Sequence, residues 1–168
     1  MNINLKGTIV NKMMSYMKKY DENKYWKRRQ IVVDPNAKVN QLIKYYYLLY
    51  VKRSDFRNNA SMGTDLNAGA SFKTKPILPH GLNGVIISHF ATIGSNCTIF
   101  HQVSIAQDEY NNAPIIGDNV LIGAGAKILG NVKIGDNVNV GANAVVVHDV
   151  PSNCTVVGIP AKIVKRHD

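Results

Sequence analysis

Aliphatic residues recur at every sixth position along the second half of this sequence, and no other feature restricts its fold more. One register runs Ile116, Ile122, Ile128, Ile134, Val140 and Val146. An earlier one runs Ile87, Ile93, Ile99 and Ile105, and the first runs Leu66, Phe72 and Leu78. A period of six matches neither the 3.6 of a helix nor the plain alternation of a half-buried strand. It suits a solenoid in which each short, flat strand points one residue inward before a turn. Three hexapeptides then make one triangular coil, and stacking the coils buries the aliphatic column. The repeat therefore predicts a mainly β chain folded as a parallel β-helix. Gly117, Gly123, Gly135 and Gly141, each just after an aliphatic position, fit a turn conformation that a Cβ disfavours.

The phase breaks mark where the coil is interrupted. The step from Leu78 to Ile87 is nine residues and bulges at His80-Gly81-Leu82-Asn83-Gly84. The step from Ile105 to Ile116 is eleven, and the polar run Gln107 to Asn112 reads as a protruding loop. Insertions in a solenoid emerge on its surface, where function gathers. The repeat stops at Pro151, and Val157-Gly158-Ile159-Pro160-Ala161 reads as a cap. Residues 61–168 are thus expected to form the β-helix domain with its C-terminal cap.

Residues 1–60 read as a separate helical segment. Met13, Met14, Tyr16 and Met17 among Lys12, Lys18 and Lys19 suggest an amphipathic helix. A second is expected from Val39 to Lys52, with Asp34-Pro35-Asn36 as the turn before it. This segment holds thirteen Lys and Arg against four acids, so the whole net charge of +9 resides in it. No nucleic-acid-binding motif accompanies the charge, so nucleic acid is not an expected partner. The plain reading is a helical cap on the coil with its lysines in solvent. The sharper one is weak contact with a membrane surface or an anionic glycan.

Composition excludes other classes. With 45% hydrophobic and 18% charged residues, most of the chain can offset the entropy of ordering. No apolar run is long enough to span a bilayer or to serve as a signal peptide, so a cytoplasmic location is expected. Cys97 and Cys154 have no metal-ligand spacing and make no disulfide framework, which leaves two reduced, buried thiols.

Three stretches resemble a known family: Leu78-Pro79-His80-Gly81-Leu82-Asn83-Gly84, Ile122-Gly123-Ala124-Gly125-Ala126-Lys127-Ile128-Leu129-Gly130-Asn131, and Val156-Val157-Gly158-Ile159-Pro160-Ala161-Lys162-Ile163-Val164. Over about residues 60–166 the chain is similar to the hexapeptide-repeat acetyltransferases, in the branch of serine acetyltransferases and capsular-polysaccharide O-acetyltransferases. The resemblance implies a left-handed parallel β-helix, a homotrimer, acetyl-CoA as donor, and active sites in the clefts between subunits.

It also implies roles for single residues. His80 occupies the place of the family's general base, and Asp65, fifteen residues earlier, that of the carboxylate orienting its ring. The chemistry agrees, because an alcohol attacks a thioester poorly unless its proton leaves as it attacks, and imidazole titrates near neutrality. Gly123, Ala124 and Ala142 match small positions along which the pantetheine arm lies. Ala106, followed by Gln107, stands where serine acetyltransferases have Gly-Gly beside the thioester. Lys162 and Lys165 are placed to meet the phosphates of CoA.

Two departures bear on the acceptor. Pro79 stands where serine acetyltransferases carry an Asp, and Asn112-Ala113-Pro114 where they carry Arg-His-Pro. Lacking groups for a zwitterion, the chain is expected to acetylate a saccharide hydroxyl of a capsular or exopolysaccharide or its precursor, held by Asn83, His101 and Gln102. The alternatives are a serine O-acetyltransferase of cysteine biosynthesis and a non-catalytic trimeric scaffold. The spacing of His80, His89 and His101 does not fit the ligands of zinc β-helix enzymes, so no metal is expected.

Overall fold

The computed structural model describes residues 20–167. Among the described residues, two helices precede the coil. Helix α1, Glu22–Val33, starts where the Asp21 side chain accepts from the Lys24 amide at 3.1 Å. Helix α2, Gln41–Arg57, starts where Asn40 accepts from the Leu42 amide at 2.8 Å. Each cap satisfies a donor that the first turn leaves free. The expected second helix is thus present, and it runs on past Lys52 to Arg57. The helix expected around Met13 to Lys19 lies outside the described residues. Helix α1 was not anticipated, because its charged residues mask a buried stripe of Tyr25, Trp26, Arg29 and Val32.

The basic residues of this segment do not all face solvent, contrary to expectation. The buried Arg29 guanidinium donates to the carbonyls of Ala70 (2.7 Å) and Met62 (3.0 Å) and to the Thr64 hydroxyl (3.0 Å). Desolvation lowers its pKa to about 10, which still leaves it charged at neutral pH. Lys44 is also buried and donates to the Asp34 carbonyl (2.7 Å) and to Asn67 Oδ1 (2.8 Å). Trp26 packs edge-on against Phe72 at 5.1 Å between centroids. Helix α1 is therefore fastened to the first coil by both apolar and charge-assisted contacts.

Beyond residue 60 the chain winds into a three-walled parallel solenoid. The first wall stacks Ser61–Met62, Ile86–Ile87, Ser104–Ala106, Lys127–Leu129 and Val145–Val146. The second stacks Ser71–Phe72, Thr92–Ile93, Ile115–Ile116 and Lys133–Ile134. The third stacks Thr98–Ile99, Leu121–Ile122, Asn139–Val140 and Cys154–Val157. All pairings between coils are parallel and in register, for example Ile87 with Ile105 and Ile122 with Val140. The expected column is buried: Ile87, Ile93, Ile99, Ile105, Ile116, Ile122, Ile128, Ile134, Val140 and Val146 line the interior. Each such side chain is worth about 1.5–3 kcal/mol of burial. Cys97 and Cys154 are free and buried among them.

The earliest register departs from expectation. Leu66 sits in the turn of a small antiparallel hairpin, Thr64–Asp65 with Ala68–Gly69, and Met62 takes the inward position paired with Ile87. The glycines also act differently from the reading above. None of Gly117, Gly123, Gly135 and Gly141 has a positive φ. A Cβ on Gly123 would instead lie 2.6 Å from the Ala142 amide nitrogen of the next coil, so the requirement is for close approach of backbones. The left-handed corner positions are filled by asparagines, including Asn96, Asn119, Asn137 and Asn153. Their amides form a ladder, Asn96 to Asn119 to Asn137 to Asn153, at 3.3, 3.1 and 2.9 Å.

The C-terminal cap is a hairpin. Lys162–Arg166 turns back and pairs antiparallel with Cys154–Val157 on the third wall. No helix among the described residues is long and apolar enough to cross a membrane.

Candidate active site

The first wall has two edges, and the functional candidates divide between them. At the edge where the chain enters the wall lies the expected bulge, with Gly81 and Gly84 at positive φ. It exposes His80, which lines a surface depression with Tyr20, Asn58, Pro79, Gly81 and Asn83. His101 occupies the same corner one coil on, and its Nδ1 is 2.6 Å from His80 Nδ1. Phe100 packs edge-on against the His80 ring at 5.7 Å. The Gln102 amide donates to the Asn83 carbonyl at 3.0 Å, and Lys127 Nζ donates to the Gln102 carbonyl at 2.8 Å. Asn83, His101 and Gln102 thus gather at one corner with His80.

The expected donor residues continue this corner. The Gly125 amide donates to the His101 carbonyl at 3.0 Å, and the Asn143 amide to the Ala124 carbonyl at 2.8 Å. Gly123, Ala124 and Ala142 therefore stack beyond His101 along a single ridge. The ridge leads to the capping hairpin, where the Val145 amide meets the Gly158 carbonyl and Lys162 and Lys165 are exposed.

Asp65 and Ala106 lie at the opposite edge, where the chain leaves the wall. Asp65 is 3.4 Å from Lys52 Nζ and 3.9 Å from His89 Nδ1, and within one chain it makes no contact with His80. The depression around it includes Ser61, Thr64, Ser88, Ala106 and Gln107, and the Ser88 hydroxyl is hydrogen-bonded to Gln107 Oε1. The protruding loop rises beside it, folded around Asp108, whose carboxylate accepts from Tyr110 and Asn112 amides and is held below its usual pKa chiefly by the Asn112 side chain. Ser88, Lys52 and Phe100 carry no signal in the sequence that points to this site, and His89 enters there only through a spacing that does not fit zinc. Only the coil periodicity, which stacks residues from successive turns, could have brought these together.

Among the described residues no group of three or more His, Cys, Asp or Glu side chains could hold a metal ion. The chemistry available is that of an exposed imidazole at the foot of a ridge of small residues, with a carboxylate at the far edge of the same wall.

A family description, Bacterial transferase hexapeptide (six repeats), matches residues 113–148. A serine acetyltransferase of Staphylococcus aureus (strain Mu50) is 49% identical over 107 residues, covering 62% of this chain and 50% of that protein. A serine acetyltransferase of Brucella abortus in complex with coenzyme A superposes with a TM-score of 0.69 at 28% identity, covering 87% of this chain and 55% of that one. The Neisseria gonorrhoeae serine acetyltransferase in complex with serine gives 0.64 at 32% identity, covering 84% and 54%. The chain spans about half the length of the relatives it matches.

Proposed function

We propose that this chain, a member of the hexapeptide-repeat acetyltransferases on the serine acetyltransferase branch, transfers an acetyl group from acetyl-CoA to an alcohol with His80 as general base. The observation that carries this reading is the exposed His80 imidazole at the foot of the ridge Gly123, Ala124, Ala142. The pantetheine arm lies along those small residues, Lys162 and Lys165 meet the CoA phosphates, and the thioester is delivered to the imidazole. His80 takes the hydroxyl proton as the alcohol oxygen attacks the carbonyl carbon. The tetrahedral intermediate expels the CoA thiolate, which recovers the proton from the imidazolium, leaving an ester and free CoA.

The division of residues between two edges of one wall supports a homotrimer. In a closed three-fold ring each contact joins one surface of a subunit to a different surface of the next. Setting the His80 edge of one copy against the Asp65 edge of its neighbour makes one complete cleft per interface. Asp65 then supplies a negative charge facing the imidazolium that forms on His80.

On the acceptor, the relatives favour L-serine over the saccharide that the sequence led one to expect. The 49% identical relative is a serine acetyltransferase, and a structural neighbour was solved with serine bound. A neighbouring copy's edge would bring Lys52 and Asp65, one cation and one anion, to pair with the ends of an amino acid. A saccharide hydroxyl stands as the second reading on one observation. The depression beside His80, lined by Tyr20, Asn58, Pro79, Gly81 and Asn83, offers among the described residues no acidic or basic group but His80 and the Tyr20 phenol. An unpaired charge in a desolvated cleft is costly, whereas hydroxyls suit these partners.

The test is CoA thiol release from acetyl-CoA with L-serine and with mono- and oligosaccharides. Turnover on L-serine supports the first reading, and turnover on saccharides alone supports the second. No release with either class, in a folded trimer, leaves the scaffold.

A further inference from the structure

We propose that the outer face of helix α2 is a docking surface for an anionic membrane, with its leucines and aromatic rings set into the headgroup region. This face lies outside the acetyl-transfer site and does not depend on that reading.

Helix α2 has two unlike sides. Lys44, Val51, Ser54 and Asp55 are buried on the side that packs toward helix α1 and the first coil. Opposite them, at steps of three and four, stand Leu42, Tyr45, Tyr46, Leu49, Arg53 and Phe56. Leu42 is 76% exposed, Leu49 69% and Phe56 87%, and both tyrosines are exposed as well. A single exposed leucine needs no explanation, but five large apolar side chains in one row mark an interaction surface. Arg28 of helix α1 lies over the Tyr50 ring at 3.9 Å and 5.6 Å from the Tyr46 ring, which fixes a cation at the rim.

Charge selects what can cover this row. Arg53 stands within it and Arg57 beside it, both exposed. The one acid of helix α2, Asp55, is buried on the opposite side. A second copy docked by the same face across a two-fold would bring Arg53 and Arg57 toward their own counterparts, with no acid of the helix to answer them. Residues 1–19 carry four lysines and no acid, so they share the sign of the face and do not complement it. A soluble polyanion would pair with the arginines but leave the leucines and Phe56 in water. An anionic bilayer satisfies both. The arginines reach lipid phosphates on flexible stems, the tyrosines sit at headgroup level, and Leu42, Leu49 and Phe56 enter the boundary of the acyl chains.

The experiment sediments the full chain with vesicles of phosphatidylcholine, alone or with about a third phosphatidylglycerol. Binding should be at least about tenfold tighter to the anionic vesicles and should weaken with added salt. Leu42→Ser combined with Leu49→Ser should lower that binding about tenfold or more, with circular dichroism, oligomeric state and acetyl transfer unchanged, because both side chains are exposed and outside the site. Arg53→Gln with Arg57→Gln should abolish the preference for anionic lipid. Phe56→Trp reports depth: Trp26, the chain's single tryptophan, is buried, so quenching by brominated lipid that is absent in the native chain reads position 56. Equal pelleting with both kinds of vesicle, or with neither, would overturn the proposal. So would anionic binding that survives loss of both leucines, or competition by soluble dextran sulfate with no quenching at position 56. Native assemblies that fall apart in the double-leucine variant would give the face to a second copy and overturn it equally. Vesicle binding is read without turnover, so absence of acetyl transfer would count against the function and leave this result to stand by itself.

Discussion

The Tyr25 hydroxyl donates to Asp55 Oδ1 at 2.6 Å and closes the seam between helices α1 and α2. Both side chains are buried, and Asp55 Oδ2 has no hydrogen-bond partner among the described residues. Burial raises the Asp55 pKa from 3.8 to about 6, offset in part by the Tyr25 bond and by Lys52. A carboxyl whose pKa rises on folding is most favourable below pH 4, and that advantage is lost as the pH climbs through 6. Asp55→Asn keeps an acceptor for Tyr25 and carries no charge. Its stability relative to the wild type should therefore rise by about 1–3 kcal/mol between pH 4 and pH 7. Urea unfolding at several pH values measures this, and a flat difference would mean that Asp55 does not titrate in that range.

His80→Ala should lower turnover by about 10²–10⁴-fold, the range for a lost general base. Asp65→Asn should cost less, since the base remains. Because the two residues lie on opposite edges of one wall, trimers refolded from an equal mixture of the two variants contain some interfaces with both native residues. Activity should recover to about a quarter of the native level, as random mixing around a three-fold ring dictates. A mixture no more active than its components would place both residues in one subunit's site.

Gly123→Ala should destabilise the chain by about 1–3 kcal/mol, as overpacking does. The new Cβ would lie 2.6 Å from the Ala142 nitrogen and 2.8 Å from the Gly141 carbonyl carbon, which are backbone atoms that cannot swing away. Chemical denaturation reads the loss, and native stability would show that the coils can separate there at little cost.

Replacing both Lys162 and Lys165 by Gln should raise KM for acetyl-CoA about tenfold and leave kcat unchanged, because the phosphates are remote from the reacting carbonyl. The native enzyme should lose affinity with added salt, and the variant should lose less. An unaltered KM would assign the phosphates to other residues.

The coil was legible because one inward residue per hexapeptide leaves a periodic trace that needs no knowledge of partners. The same period misled at Leu66, where the spacing persists but the backbone has turned into a hairpin and Met62 does the packing. It misled again on the glycines, since sequence shows that a Cβ is missing but not what would have struck it. Helix α1 escaped notice because Arg29 counts as charged in any pattern, while in the fold it is a buried strut. At the candidate site, His80, His101, Asn83 and Gln102 were named and do share a corner. Which of them touches which was not legible, because the neighbour of His80 is fixed by coil stacking across twenty-one positions of chain.

The hairpin at the C-terminus sets a limit that the repeat by itself does not contain. A parallel solenoid has complementary hydrogen-bonding faces at its two ends, and nothing in a hexapeptide says how many should be stacked. A third wall ending at Cys154–Val157 with bare amides and carbonyls would be an open sheet edge, able to pair with a strand of another molecule. The returning strand Lys162–Arg166 occupies that edge in the opposite direction and presents Lys162, Lys165 and Arg166 outward. Removing it would leave the last strand of the third wall with unpaired amides and carbonyls, an edge on which strands of other molecules can add.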